Sequence, residues 1–275
     1  MDWGSIIESL FRGLIGESFI VFALAAIGLN LHFGYTGLLN FGQAVFMAAG
    51  AYGLAMMVAT IGPAANRNFG WDLSESTLFW LGIFVGVVVF PVVFALIMGI
   101  PTLRLRADYL AIVTIAVAEI FRIVVRSPTP GIKKWTNSSD GLTGFSGTFY
   151  DMSPFGTQDR YLFNLFTGNQ MFLVIVGWVV LAIGATICWL LVRSPWGRVL
   201  KAIREDEDAA RSLGKNAYSY KMQALILGGV FGAVGGMIRA IGFSVAQPDN
   251  FITDVTFFVW VALILGGAGK VLAPI

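Results

Sequence analysis

Charge is what this sequence has least of. Asp, Glu, Lys and Arg make up 12% of its 275 residues, about half the roughly 25% of a soluble globular domain. Two soluble domains of that length would lack the charge to cover their surfaces. Disorder is excluded as well, because 57% of the residues are hydrophobic and 14% aromatic, whereas disordered chains are charged and poor in aromatics. The net charge of +2 suggests no nucleic-acid partner. A single cysteine, Cys188, allows no internal disulfide, and with a single histidine, His32, it cannot build the usual His/Cys zinc sites. His32 is therefore also the only histidine base open to a hydrolase. There is no GxxxxGK[ST] run. Gly269-Lys270 is a decoy, since Ile264 stands where the first glycine belongs and Val271 follows the lysine. Without a phosphate-cradling loop the chain binds no ATP in the P-loop manner. The start, MDWGSIIESLFRG, has no basic region and carries Asp2 and Glu8, unlike a typical signal peptide.

What remains is a polytopic α-helical membrane protein. A bilayer core needs about 20 mostly apolar residues per helix. Seven segments meet this: 14–33, 44–62, 78–99, 107–126, 170–192, 222–242 and 255–273. Residues 76–103 hold no charge at all, and 161–192 none either. The fourth segment is the poorest, with Asp108, Glu119, Arg122 and Arg126 inside it or at its ends. Loops 100–106 and 193–221 hold nine basic residues, including Arg104 and Arg106. The N-terminus and loops 63–77, 127–169 and 243–254 hold five over a longer stretch. The basic set is expected to be cytoplasmic, with the N-terminus outside. The uncharged loop 34–43 is either a cytoplasmic turn or a re-entrant segment buried in protein. Loop 127–169, rich in Gly, Pro, Ser and Thr, is expected to lie over the outer face.

Several features stand out on this frame. Gly228, Gly232 and Gly236 recur every four residues, and Gly82 and Gly86 do the same. Such stripes let helix backbones approach closely in lipid. Residues 28–43 combine four glycines with Asn30, Tyr35, Thr36, Asn40 and Gln43. This reads either as a glycine-rich turn or as a broken helix whose freed polar groups contact a transported solute. Glu119 is an acid inside a span, which costs a few kcal/mol unless it faces protein or water. Arg122, three residues on, shares its helix face and is placed to pair with it. Glu119 is thus either a structural ion-pair member or a polar element of a transport path. In 193–221, Pro195 marks a helix start. Residues 198–213 are expected to form one charged amphipathic helix, with Val199, Ile203, Ala210 and Leu213 available for one face. Gly214 supplies a left-handed stop.

The run Asp208-Ala209-Ala210-x-x-x-Gly214 resembles the EAA-x-x-x-G motif of ABC importer permeases, with Asp in place of Glu. Four wider blocks resemble the permeases of high-affinity branched-chain amino-acid importers. They are GLNLHFGYTGLLNFGQAVFMAAGAYG, LRLRADYLAIVTIAVAEIFRIV, NSSDGLTG and SPWGRVLKAIREDEDAARSLG, in that order along most of residues 24–270. The family also includes urea and short-chain amide permeases. The resemblance implies a non-enzymatic permease subunit in the plasma (bacterial inner) membrane that binds no cofactor itself. ATP would be held by partner ATPase subunits. A second homologous permease and an extracytoplasmic substrate-binding protein would complete the importer. It also implies that Asp208, Ala209, Ala210 and Gly214, with Arg204 and Glu205 beside them, couple to the ATPase. Two departures stand out. Asn40 occupies a position where serine is expected. The GG-x-G-x-x-x-GP stretch, here Gly266 to Pro274, closes the sequence where an eighth helix is expected.

Two other classes compete. In an ion-coupled secondary transporter, Glu119 and His32 would carry protons, but no inverted repeat is visible. An intramembrane enzyme finds few candidate residues.

Overall fold

The computed structural model describes residues 3–103, 107–156, 159–162 and 165–270. Arg104, Arg106 and the end of the seventh expected segment, 271–273, lie outside them.

The chain is helical almost throughout. In order, the helices are α1 (Trp3–Ile15), α2 (Glu17–Leu29), α3 (Gln43–Met56), α4 (Gly62–Phe69), α5 (Glu75–Phe84), α6 (Phe90–Thr102) and α7 (Ala107–Arg126). Then come α8 (Pro130–Thr136), α9 (Gly147–Asp151), α10 (Gly168–Arg193), α11 (Pro195–Glu205), α12 (Glu207–Ser212), α13 (Ala217–Phe243) and α14 (Thr253–Gly266). Three π-helical stretches, Asn30–Tyr35, Met57–Ile61 and Val85–Val89, extend or join neighbouring helices. Among the described residues, six continuous helical runs are long and apolar enough to cross a membrane. The fourth expected span, 107–126, forms the 20-residue helix α7 but is not among those six. This is an all-α polytopic membrane protein.

The centre of the bundle is α2, α3 and α13. In its most apolar stretch, the α13 run has 72% of its residues buried, against 28% for the α5–α6 run. Small residues bring the central helices together. A Cβ on Gly28 would stand 2.3 Å from the carbonyl oxygen of Gly228, and one on Gly228 would stand 2.2 Å from His32 Nε2. Either side chain would force α2 and α13 apart, so the glycine stripe is a packing requirement. The outer helices leave a belt of large apolar side chains exposed, among them Trp80, Phe84, Ile97, Val179, Ile183 and Leu190. Such a belt suits lipid or a neighbouring membrane-embedded chain.

The two loop sets sort to opposite ends of the bundle. At one end Leu142–Thr143 pairs antiparallel with Val245–Ala246. There Tyr150 Oη donates to the Ile241 carbonyl (3.0 Å), and Ser146 Oγ to Ser244 Oγ (3.1 Å). At the other end Arg204 reaches Gly34, and Asn30 reaches residues 269–270. The uncharged 34–43 segment therefore sits on the side of the basic 193–221 loop. Much of it is buried in protein, since residues 34–36, 38, 40 and 42–43 are all buried.

Candidate functional site

Three groups of candidate residues lie along the bundle. The first is the basic-side segment 194–216. Pro195 takes the first helical turn, as expected. The single helix expected over 198–213 is instead two, and the correction has a local cause. Asp206 is extended (φ −153°, ψ 104°) and ends α11. Its carboxylate then accepts from the Ala209 amide (2.9 Å), capping α12. The break turns the face. Ile203 and Ala210 pack inward with Ala217, whereas Leu213 is 80% exposed instead of joining them. Asp208 and Ala209 are also exposed. Gly214 closes the segment at φ +76°, in the left-handed region, and its amide donates to the Arg211 carbonyl (2.9 Å). Glu207 accepts from Arg211 Nη2 (2.6 Å) and from Lys221, which ties α12 to α13.

Arg204 points back toward the bundle. Its Nη1 donates to the Gly34 carbonyl, 2.5 Å away, in the π-helical stretch after α2. Lys201 lies over the Tyr35 ring at 5.6 Å. Glu205, the remaining coupling candidate, is exposed.

The second group is the 30–43 segment. Asn30, His32, Asn40 and Gln43 are fully buried, with Tyr35 and Thr36 nearly so. The polar side chains are heavily committed. His32 Nε2 lies 3.0 Å from the Leu225 carbonyl and Nδ1 3.0 Å from Asn40 Nδ2. The proton therefore sits on Nε2, with Nδ1 accepting from the amide. Asn40 Oδ1 accepts from the Gly42 amide (2.8 Å). Gln43 Nε2 donates to the carbonyls of Ala25 (3.3 Å) and Gly228 (3.4 Å). Thr36 Oγ1 donates to the His32 carbonyl. Asn30 brackets the distant 269–270 backbone, donating to Lys270 O (2.8 Å) and accepting from Gly269 N (2.9 Å). The irregular backbone is satisfied the same way. Phe41 N donates to Thr114 Oγ1 (3.0 Å), Ala44 N to Thr256 Oγ1 (2.9 Å), and Trp260 Nε1 to the Asn40 carbonyl (3.0 Å). Sequence reasoning missed Thr114, Thr256 and Trp260, whose only signal is a polar atom inside an apolar run. Non-helical backbone at membrane depth survives only where protein satisfies it, and these residues do so.

The third group surrounds Glu119. Its carboxylate takes a bifurcated contact from Arg122 Nε (3.1 Å to each oxygen) and a 2.5 Å contact from Nη2. The expected i, i+3 pair is present. The structure adds a partner the sequence did not suggest. Asp249 Oδ1 lies 3.3 Å from both Arg122 Nη1 and Arg126 Nη1. The Glu119 and Arg122 side chains keep 38% and 21% of their surface exposed. Glu119 is thus the one pathway candidate that faces outward from this chain. Among the described residues, no group of three or more His, Cys, Asp and Glu side chains is placed to hold a metal ion.

A helical membrane bundle with a broken amphipathic segment at one end and a half-exposed charge cluster toward the other has the layout of a membrane transport subunit. The comparisons with known proteins fix the class. The family described as branched-chain amino acid transport system / permease component matches residues 14–275. The chain belongs to this family. It is 30% identical, over 269 residues, to the high-affinity branched-chain amino acid transport system permease protein LivM of Salmonella typhimurium. LivM of Escherichia coli K12 matches at the same identity over the same length. Each match covers 93% of this chain but 58% of the relative, so the chain spans little more than half their length. The probable LivM of Methanocaldococcus jannaschii is 24% identical over 275 residues, covering 92% of this chain and 74% of that protein. No solved structure matches.

Proposed function

We propose that this chain is one permease subunit of an ATP-driven importer that moves branched-chain or related hydrophobic amino acids into the cytoplasm. It carries out no covalent chemistry. Separate ATPase subunits bind and hydrolyse ATP, a second homologous permease completes the pore, and an extracytoplasmic binding protein delivers the substrate. The importer sits in the plasma (bacterial inner) membrane, with the basic 193–221 side cytoplasmic and the N-terminus outside.

The observation that carries this reading is the surface of α12 and its flank. Asp208, Ala209, Leu213 and Gly214 are all exposed, and Leu213 is a large apolar side chain on an otherwise charged loop. Exposed apolar anchors ringed by polar groups mark protein interfaces. The same segment is tied inward by Arg204 to Gly34 and by Lys221 to Glu207. An ATPase that pulls on α12 therefore pulls on α13 and on the π-helical stretch of the 30–43 segment, and such stretches often mark functional sites. Leu213→Glu tests the reading in the reconstituted importer. It is expected to release the ATPase subunits and abolish ATP-driven uptake while the permeases stay folded. Wild-type uptake by that variant would refute the docking role.

A further inference from the structure

Tyr52 is 1% exposed, and its hydroxyl has no hydrogen-bond partner among the described residues. A buried hydroxyl left unpaired is unfavourable and calls for a reason. It lines a crevice between α3, α7 and the Pro248–Phe251 turn, together with Ala44, Ala48, Phe121, Arg122 and Phe251. The crevice is too narrow to admit a water molecule. Its walls are apolar except for two groups, the Tyr52 hydroxyl and the Arg122 guanidinium. Arg122 also belongs to the charge cluster with Glu119 and Asp249.

We propose that this crevice is a subsite for a small α-amino acid, seen here closed; the inference rests on the importer reading above. An amino acid presents one carboxylate, one ammonium and, in this class, one apolar side chain. The protein presents a complement for each. Asp249, about half-exposed itself, holds the turn over the crevice through two contacts of 3.3 Å, to a partly buried Arg122 and a half-exposed Arg126, and ion pairs open to solvent are weak. When the turn swings away, the substrate carboxylate takes the place of the Asp249 carboxylate on Arg122. Tyr52 Oη donates to that same carboxylate and gains the partner it lacks. The ammonium meets the freed Asp249 and Glu119, and the side chain lies against Ala44, Ala48 and Phe121. The exchange is one carboxylate for another, so no uncompensated charge is left at membrane depth. A neutral amide or urea lacks the carboxylate that drives the exchange.

The experiment uses the complete importer in lipid vesicles with its binding protein, comparing the parent with Tyr52→Phe and Ala48→Leu. Tyr52→Phe removes an atom with no partner in the closed state, so thermal stability should equal or exceed the parent's. Leucine uptake should fall about ten- to hundredfold, the value of a hydrogen bond to a charged group. Ala48→Leu should slow leucine uptake more than alanine uptake by filling the crevice. Parent-like leucine uptake by Tyr52→Phe overturns the subsite even if Ala48→Leu fails to assemble. So does a Tyr52→Phe protein that loses stability and uptake together. If the parent importer shows no ATP-driven amino-acid uptake, the importer reading itself falls, and the subsite with it.

Discussion

Truncating Asn40 to alanine separates a structural role for the 30–43 segment from a solute-contacting one. The side chain is fully buried and serves two groups that have nowhere else to turn. His32 Nδ1 loses its donor, and the Gly42 amide loses its acceptor. Each buried group left unpaired costs about 1–3 kcal/mol, so the pair sums to about 2–6 kcal/mol before any cavity term. Each kcal/mol lowers Tm by about 2–4 °C in a chain of about this size. A fall of about 5 °C or more is therefore expected for the purified chain in mild detergent. Tryptophan fluorescence is the natural probe, because Trp260 donates to the Asn40 carbonyl and stacks on Phe41 at 4.7 Å. Asn40→Ser should lose less, since a hydroxyl at that position can still accept from the Gly42 amide but is too short to reach His32. An Asn40→Ala protein that melts within about 1 °C of the parent yet transports poorly would refute this reasoning. The segment would then belong to the solute path.

Arg204→Ala should leave the ATPase docked but cut uptake per ATP hydrolysed, because the contact to Gly34 is the inward tie of α11; Arg204→Lys should recover part of the loss. Coupling ratios in vesicles check this. Gly214→Val places a β-branched residue at φ +76°, which should cost about 1–2 kcal/mol locally and weaken ATPase retention on a column. Gly228→Val should prevent folding or assembly outright, since its Cβ would stand 2.2 Å from His32 Nε2 and 2.4 Å from Gly28 O; expression in the membrane fraction reads this. Glu119→Gln should change stability by less than about 1 kcal/mol, because the pair is part exposed. It should nevertheless slow uptake, and parent-like affinity and rate would return Glu119 to a purely structural role.

Six of the seven expected spans were legible because long uncharged runs such as 76–103 admit no other reading in a chain this poor in charge. Pro195 and Gly214 were legible because each obeys a backbone rule that acts within one turn. The Glu119–Arg122 pair followed from helix spacing alone. What stayed hidden depends on contacts between residues far apart in sequence or on one local competition. Asp206 sits in a charged run that reads as continuous helix. Only its side chain, choosing to cap Ala209, breaks the run and turns Leu213 outward. Thr114, Thr256 and Trp260 satisfy residues 40–44 from 70 to over 200 positions away, and nothing in their local sequence announces it. Asp249 looks like an ordinary loop acid until the fold sets it beside Arg122. Tyr52 looks like one more aromatic core residue until its hydroxyl is seen to lack a partner among the described residues.

The central claim is that this chain works as the permease of an ATP-driven importer. The direct measurement is to purify the tagged, full-length protein from its native membrane in mild detergent and identify what comes with it by mass. The eluate is then reconstituted into vesicles for leucine uptake with and without ATP. The account predicts a co-purifying ATPase, a second permease and uptake that requires ATP. A lone chain or homodimer, with uptake that ignores ATP and collapses with the proton gradient, would contradict it.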